Sequence, residues 1–188
     1  MNNEKSNNPI SIRSRKWIIE ALLKLMEEKP YDKISIKEIS DRAGLVRKTF
    51  YRNFDSKEDV LYEYISGLMK ETEKVFESLE SLTPYSMSYA YFEFWYEHVD
   101  FLKLIYKNNL FIMILKHLRI YAPTVFEKFK AHVMKDFDDT FLKYYNDFHS
   151  AGIWHMLEKW IASGTQETPK QLAQIYSDIA LNNPHLKS

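Results

Sequence analysis

The chain of 188 residues contains no cysteine. Disulfides and thiolate metal sites are thereby excluded, which fits a reducing compartment. No apolar run approaches the roughly 18 residues of a membrane-spanning helix. Residues 1–9 are polar and lack the apolar centre of a secretory signal. Both absences lead us to expect a cytoplasmic protein with no membrane partner. Sustained period-two alternation is missing as well, so no sheet is expected, and there is no internal repeat or low-complexity tract. Nucleophile–base spacings, glycine-rich phosphate loops and metal motifs are also missing, which argues against an enzyme and against a cofactor. Six histidines are present, but none lies three or four positions from another, so no metal site is expected. Net charge is zero, which would speak against nucleic acid if the charges were evenly spread.

They are not evenly spread. Residues 1–60 carry 13 Lys/Arg against 10 Asp/Glu, and residues 61–188 carry 13 against 16. The first third is therefore net +3 and the remainder net −3, a modest bias of the kind that draws phosphate to one end. The aromatic residues are also divided, with 24 of 29 beyond position 60 together with all six histidines. An apolar fraction of 45% suits a folded protein. We read an all-α chain in two parts, residues 9–55 and residues 56–188.

The first part is organised around residues 35–57. Ser35 with Glu38 three positions on is a capping box that starts a helix. Gly44 can take the positive φ that ends it sharply. A second short helix follows over 46–54, with Phe50 and Phe54 one turn apart on its inward side. Arg47, Lys48, Thr49, Tyr51, Arg52 and Asn53 remain for the outward side, the donor types that reach base edges and phosphate oxygens. The pair reads as a helix-turn-helix whose second helix enters the major groove. A preceding helix is expected over 12–28, with Trp17, Ile18, Ala21, Leu22, Leu25 and Met26 as its apolar stripe. Arg13, Arg15 and Lys16 lie at its dipole-disfavoured start, as a solvated end or as phosphate contacts. Tyr31 and Ile34 should pack beneath the helix pair. Ser56 with Asp59 opens a long helix that runs to about residue 79–82 and links the two parts.

Residues 44–61, Gly-Leu-Val-Arg-Lys-Thr-Phe-Tyr-Arg-Asn-Phe-Asp-Ser-Lys-Glu-Asp-Val-Leu, resemble the signature of the TetR/AcrR family of bacterial transcription regulators. The most specific portion is Thr49 to Glu58, and the likeness extends over about 12–61. It implies a three-helix DNA-binding domain followed by a larger helical domain for ligand binding and dimerisation. It also implies double-stranded operator DNA as partner, a phosphate for Lys57, and most often repression. Two departures stand out. Val46 occupies a position where relatives carry a capping Ser or Thr, at a cost of about 1 kcal/mol. Lys48 stands where many relatives have Gly, so operator preference does not carry over. We assign base contacts to Arg47, Lys48 and Arg52, and phosphate contacts to Ser35, Thr49, Tyr51, Asn53 and Lys57.

Beyond residue 83 we expect helices over 85–97, 100–107, 110–121, 124–146, 148–162 and 169–181. Thr168-Pro169 with Gln171 is the cleanest start among them. Residues 92–96 are aromatic on nearly every helix face, which suits core packing or a small-molecule pocket. Candidate pocket residues are Tyr89, Phe92, Trp95, Tyr96, His98, His117 and Tyr121, for a hydrophobic or aromatic effector. Stripes of Ile153, Met156, Leu157, Trp160 and Ile161, and of Leu172, Ile175 and Ile179, suit a homodimer interface built from four helices. Residues 150–169 loosely resemble the C-terminal domain of a Gram-positive subgroup of the same family. The leading expectation is a ligand-responsive repressor that reads a palindromic operator as a homodimer. A protein of the same fold acting through a protein partner is the alternative, left open by Val46 and the zero net charge.

Overall fold

A computed structural model describes residues 8–116 and 138–181, helices joined by turns and short links with no strand among them. His117 and Tyr121, two of the pocket candidates, lie outside the described residues, as does most of the helix expected over 124–146. The chain divides into two compact units, Met1–Leu68 and Met69–Ser188.

In the first unit, helix α1 spans Pro9–Glu28, three residues earlier than the apolar stripe suggested. The reason is local: Asn8 Oδ1 accepts from the Ile10 amide at 3.0 Å, and Pro9 occupies the first helical position. Ile18, Ala21, Leu22, Leu25 and Met26 are buried as expected. Trp17 is a correction. It is exposed, with the Arg13 guanidinium 5.6 Å from its ring. One residue of helix is a rotation of about 100°, which carries Trp17 past the edge of the stripe centred near Ile18 and Leu22.

A 3-10 turn, Tyr31–Lys33, precedes α2, Ile36–Arg42. Tyr31 and Ile34 are buried, as the sequence led us to expect. The capping box is formed: Ser35 Oγ accepts from the Glu38 amide while the Glu38 carboxylate accepts from the Ser35 amide at 3.0 Å. Lys29 adds an ion pair to the same carboxylate. The group is held down at about 2, by Lys29 first and then by the two Ser35 donors. Gly44 has φ +67°, and the following Leu45 amide donates back to Ser40 O at 2.9 Å, closing the helix end. Helix α3 spans Arg47–Asn53. Phe50 and Phe54 are fully buried, with ring centroids 6.0 Å apart. Helix α4, Lys57–Glu77, starts at Ser56, whose amide donates to Asp59 Oδ2 at 2.9 Å. Its residues Val60, Leu61 and Ile65 are completely buried. The division between units falls within α4.

In the second unit α5 spans Pro84–Glu97 and α6 spans Val99–Lys107. Thr83 caps α5 through a box closed by Ser86. Residues 111–116 are helical. Helix α7, Asp139–Ala162, begins at Asp138, whose carboxylate accepts from the Phe141 amide at 2.8 Å. Its continuity is a second correction, since a break was expected at residue 147. Asn146 and Asp147 are weak helix formers, but neither removes a backbone donor as proline does, and packing overrides a loss of a few tenths of a kcal/mol. Helix α8 spans Pro169–Leu181, with Thr168 and Gln171 forming the expected box. Helices α5 and α8 pack along each other. Small residues at the seam permit the approach: Ser88 and Ala173 are both buried, and Ser88 Oγ donates to Ala173 O at 3.4 Å.

Candidate nucleic-acid interface

Helix α3 is less than two turns long, and its packing divides its side chains cleanly. Phe50 and Asn53 go inward. Arg47, Lys48, Tyr51 and Arg52 are exposed, and Thr49 is half-buried. None of Arg47, Lys48 or Arg52 is in an ion pair among the described residues. A cationic and hydroxyl-bearing face therefore stands open. Val46 supplies no side-chain cap and is 70% exposed, so the amides at the start of α3 are uncapped by any side chain.

Three residues assigned to phosphate have polar partners within the unit. Asn53 is only 4% exposed. Its Nδ2 donates to Thr49 O at 2.7 Å, and its Oδ1 accepts from Ser11 Oγ at 2.6 Å. Both ends of the amide are bonded inside the unit. Ser35 spends both its donors on Glu38: the amide at 3.0 Å and the hydroxyl at 2.7 Å. Lys57 has its negative partner within the fold. Its ammonium donates to Tyr31 O at 2.7 Å and Ile34 O at 3.0 Å, and it sits 4.4 Å from the centre of the Tyr31 ring. Two carbonyls and a ring face thus surround the ammonium within the unit. At the start of α1, Lys16 stays exposed beside Glu20. Arg15 turns inward instead, to Glu63 of α4.

The described pocket candidates of the second unit have different settings. Phe92 and Trp95 are fully buried, but Tyr96 is exposed against Trp160. Tyr89 stacks on Tyr85 at the surface and donates to Glu93 Oε1 at 2.6 Å. His98 lies at the α5–α6 junction with its ring 4.5 Å from Phe94. A different polar cluster is assembled from three helices. Tyr91 and Trp95 come from α5, Tyr145 and His149 from α7, and Tyr176 from α8. His149 Nδ1 lies 2.8 Å from the Tyr176 hydroxyl, and the Tyr145 ring is 4.0 Å from the imidazole. Burial pushes the phenols of Tyr91, Tyr145 and Tyr176 up and the His149 imidazole down, so all four are neutral at neutral pH. Trp95 Nε1 is buried, with the Tyr91 phenol as its neighbour in the cluster. The sequence signal for this cluster was the spacing of four between Tyr91 and Trp95 and between Tyr145 and His149. A break placed between 146 and 148 concealed the second pair.

The residues assigned to the dimer stripes differ in exposure. Leu157, Trp160, Ile161 and Leu172 are buried within the unit, and Ile153 and Met156 are half-buried. Ile175 and Ile179 are open, at 46% and 56%. Tyr144 and Phe148, one turn apart on α7, are exposed as well. The stripe from 153 to 161 faces the core because Trp154 and Trp160 lie on it. Their indoles donate to Phe111 O at 3.1 Å and Glu167 O at 2.9 Å, which fixes that side of α7 inward. Among the described residues no group of three or more His, Asp or Glu is placed to hold a metal ion, and no helix is long and apolar enough to cross a membrane.

A helix closed at a left-handed glycine, followed by a short helix with an open basic face, defines the helix-turn-helix class of DNA-binding regulators. Residues 18–64 match the model of bacterial regulatory proteins of the tetR family, and residues 82–182 match that of a transcriptional regulator C-terminal region. The chain belongs to the TetR family of transcriptional regulators. It is 34% identical over 67 residues to the HTH-type transcriptional regulator EthR of Mycolicibacterium smegmatis, a match spanning 36% of this chain and 31% of that protein. Among solved structures, the fatty acid degradation regulator FadR from Bacillus halodurans aligns at TM-score 0.62 and 15% identity, covering 97% of this chain and all of that one. FadR from Bacillus subtilis, determined with stearoyl-CoA, aligns at 0.60 and 16%, covering 89% and 97%. The dihydroxyacetone kinase operon activator DhaS aligns at 0.57 and 18%, covering 93% and 96%. At these identities the structural likeness bears on the fold.

Proposed function

We propose that this regulator is a homodimeric repressor that reads a pseudo-palindromic operator and leaves it when a hydrophobic or aromatic small molecule occupies the second unit. The open face of α3 carries this reading. Arg47 and Lys48, with Arg52, address base edges, and Thr49 and Tyr51 position the helix on phosphates. Two copies of α3 would stand about 34–36 Å apart, or a multiple of that, across one operator. Ile175 and Ile179, with Tyr144 and Phe148, supply apolar surface for the homodimer. The Tyr91–Trp95–Tyr145–His149–Tyr176 cluster offers the effector neutral donors within an aromatic surround. An effector acts only by the free energy with which it prefers the released conformation.

Selection of bound duplexes from a random pool, followed by mobility shifts over a salt series, tests the reading. A selected palindrome and a steep fall of affinity with salt are expected. A flat salt dependence would point instead to a protein partner. Release of the selected duplex by stearoyl-CoA is the first effector trial, since the Bacillus subtilis relative was determined with that compound.

A further inference from the structure

Helix α3 has seven residues, too few to hold a helical conformation or a direction alone. Its start has no side-chain cap. Its pose therefore depends on what fastens its end, where carbonyls lack intrahelical partners. Two α1 residues one turn apart meet that end. Ser11 Oγ donates to the Asn53 side chain at 2.6 Å, and Arg15 Nη1 donates to the Asn53 carbonyl at 3.3 Å. The same guanidinium lies over the Phe54 ring at 4.8 Å from its centre. Its other edge pairs with Glu63 of α4, with Nε at 2.7 Å from Oε1 and Nη2 on Oε2. Arg15 is 15% and Glu63 27% exposed at the side chain, so water competes weakly for the pair.

We infer that Arg15 is a positioning residue for DNA reading: with Glu63 it forms a latch that fixes the recognition helix relative to α4. The inference rests on the DNA-binding reading above and deepens it. The planar fork is what the site needs, because one cation must serve a carboxylate and a carbonyl on two different helices. The competing role is a phosphate contact by Arg15; three of its five N–H donors are already engaged inside the unit.

Simple electrostatics and the latch predict opposite outcomes for Glu63→Gln. Removing an acid from a DNA-binding unit should tighten every duplex. A lost latch should instead weaken the selected operator by about tenfold or more relative to a random-sequence duplex, the worth of a charge-assisted hydrogen bond. Arg15→Lys keeps the charge and should lose the same ratio with an unchanged salt slope. Amide exchange of Phe54, which donates to Phe50 O at 2.9 Å, should accelerate about tenfold in both variants. Exchange at Ala43, which ends α2, should not change. This measurement needs no DNA, so it separates failure of the latch from failure of the operator reading. It also reports through Arg15→Lys should Glu63→Gln not fold. Unchanged exchange at Phe54, or an operator ratio unchanged or improved in Glu63→Gln, overturns the latch. So does an Arg15→Ala variant that binds all duplexes more weakly in parallel while its salt slope falls by about one, as loss of a phosphate contact requires.

Discussion

Replacing Val46 by Ser should stabilise the first unit. Val46 already has the extended conformation of an N-cap, with φ −76° and ψ 147°. Its side chain is 70% exposed and accepts nothing. A serine hydroxyl at this position would accept an amide from the first turn of α3, as Ser35 Oγ already does from Glu38 at the start of α2. Little apolar burial is lost, because the valine is mostly in water. The expected gain is about 1 kcal/mol, within a range of roughly 0.5–2 for N-caps. That gain corresponds to a rise of about 2–4 °C if the chain melts as one body, and about 4–8 °C if the first unit melts alone. Thermal and urea unfolding followed by circular dichroism would read it, with the urea slope unchanged. Ser35→Ala provides the internal standard, losing about 1 kcal/mol of the same kind. A V46S protein no more stable than the parent, beside an S35A protein that is clearly weaker, would refute the idea that the start of α3 lacks a cap it could use.

Other substitutions separate the remaining roles. Arg47→Ala should cost about 1–3 kcal/mol on the selected operator and relax preference at one base position, read by selection on the variant. Lys57→Ala should destabilise the first unit by about 1–3 kcal/mol in urea unfolding and leave the salt slope intact, because the ammonium holds carbonyls of residues 31–34. The Glu38 carboxyl is held at about 2 against an ordinary 4.5, so its contribution is fully present above pH 4.5 and is lost as the pH falls towards 2. The melting difference between the parent and Glu38→Ala should close over that window. Ile179→Asp should leave the fold intact and raise the monomer fraction in sedimentation. Trp160→Ala should unfold the second unit instead, at about 3–5 kcal/mol.

What was legible along the chain is what neighbours in sequence decide. Ser35 and Glu38, Ser56 and Asp59, and Thr168 and Gln171 each lie three apart, and each pair forms the cap that its spacing announced. Gly44 turns where a left-handed residue was needed, and Phe50 with Phe54 faces inward on the helical period. These outcomes depend on dihedral preference and on hydrogen bonds closed within one turn, so they hold wherever the segment is placed.

Tertiary structure alone decided where the long polar side chains go. Asn53 meets Ser11 across 42 residues, Arg15 meets Glu63 across 48, and Lys57 meets Tyr31 across 26. An amide, a guanidinium or an ammonium serves a phosphate and a backbone carbonyl with the same donors, so residue type and spacing do not distinguish those ends. The same limit governs α7, where the Trp154 indole meets the Phe111 carbonyl 43 residues away and helps to turn that face to the core. Local chemistry determined which helices form and how they begin. The partners met only on folding determined which of their cations are left open to a ligand.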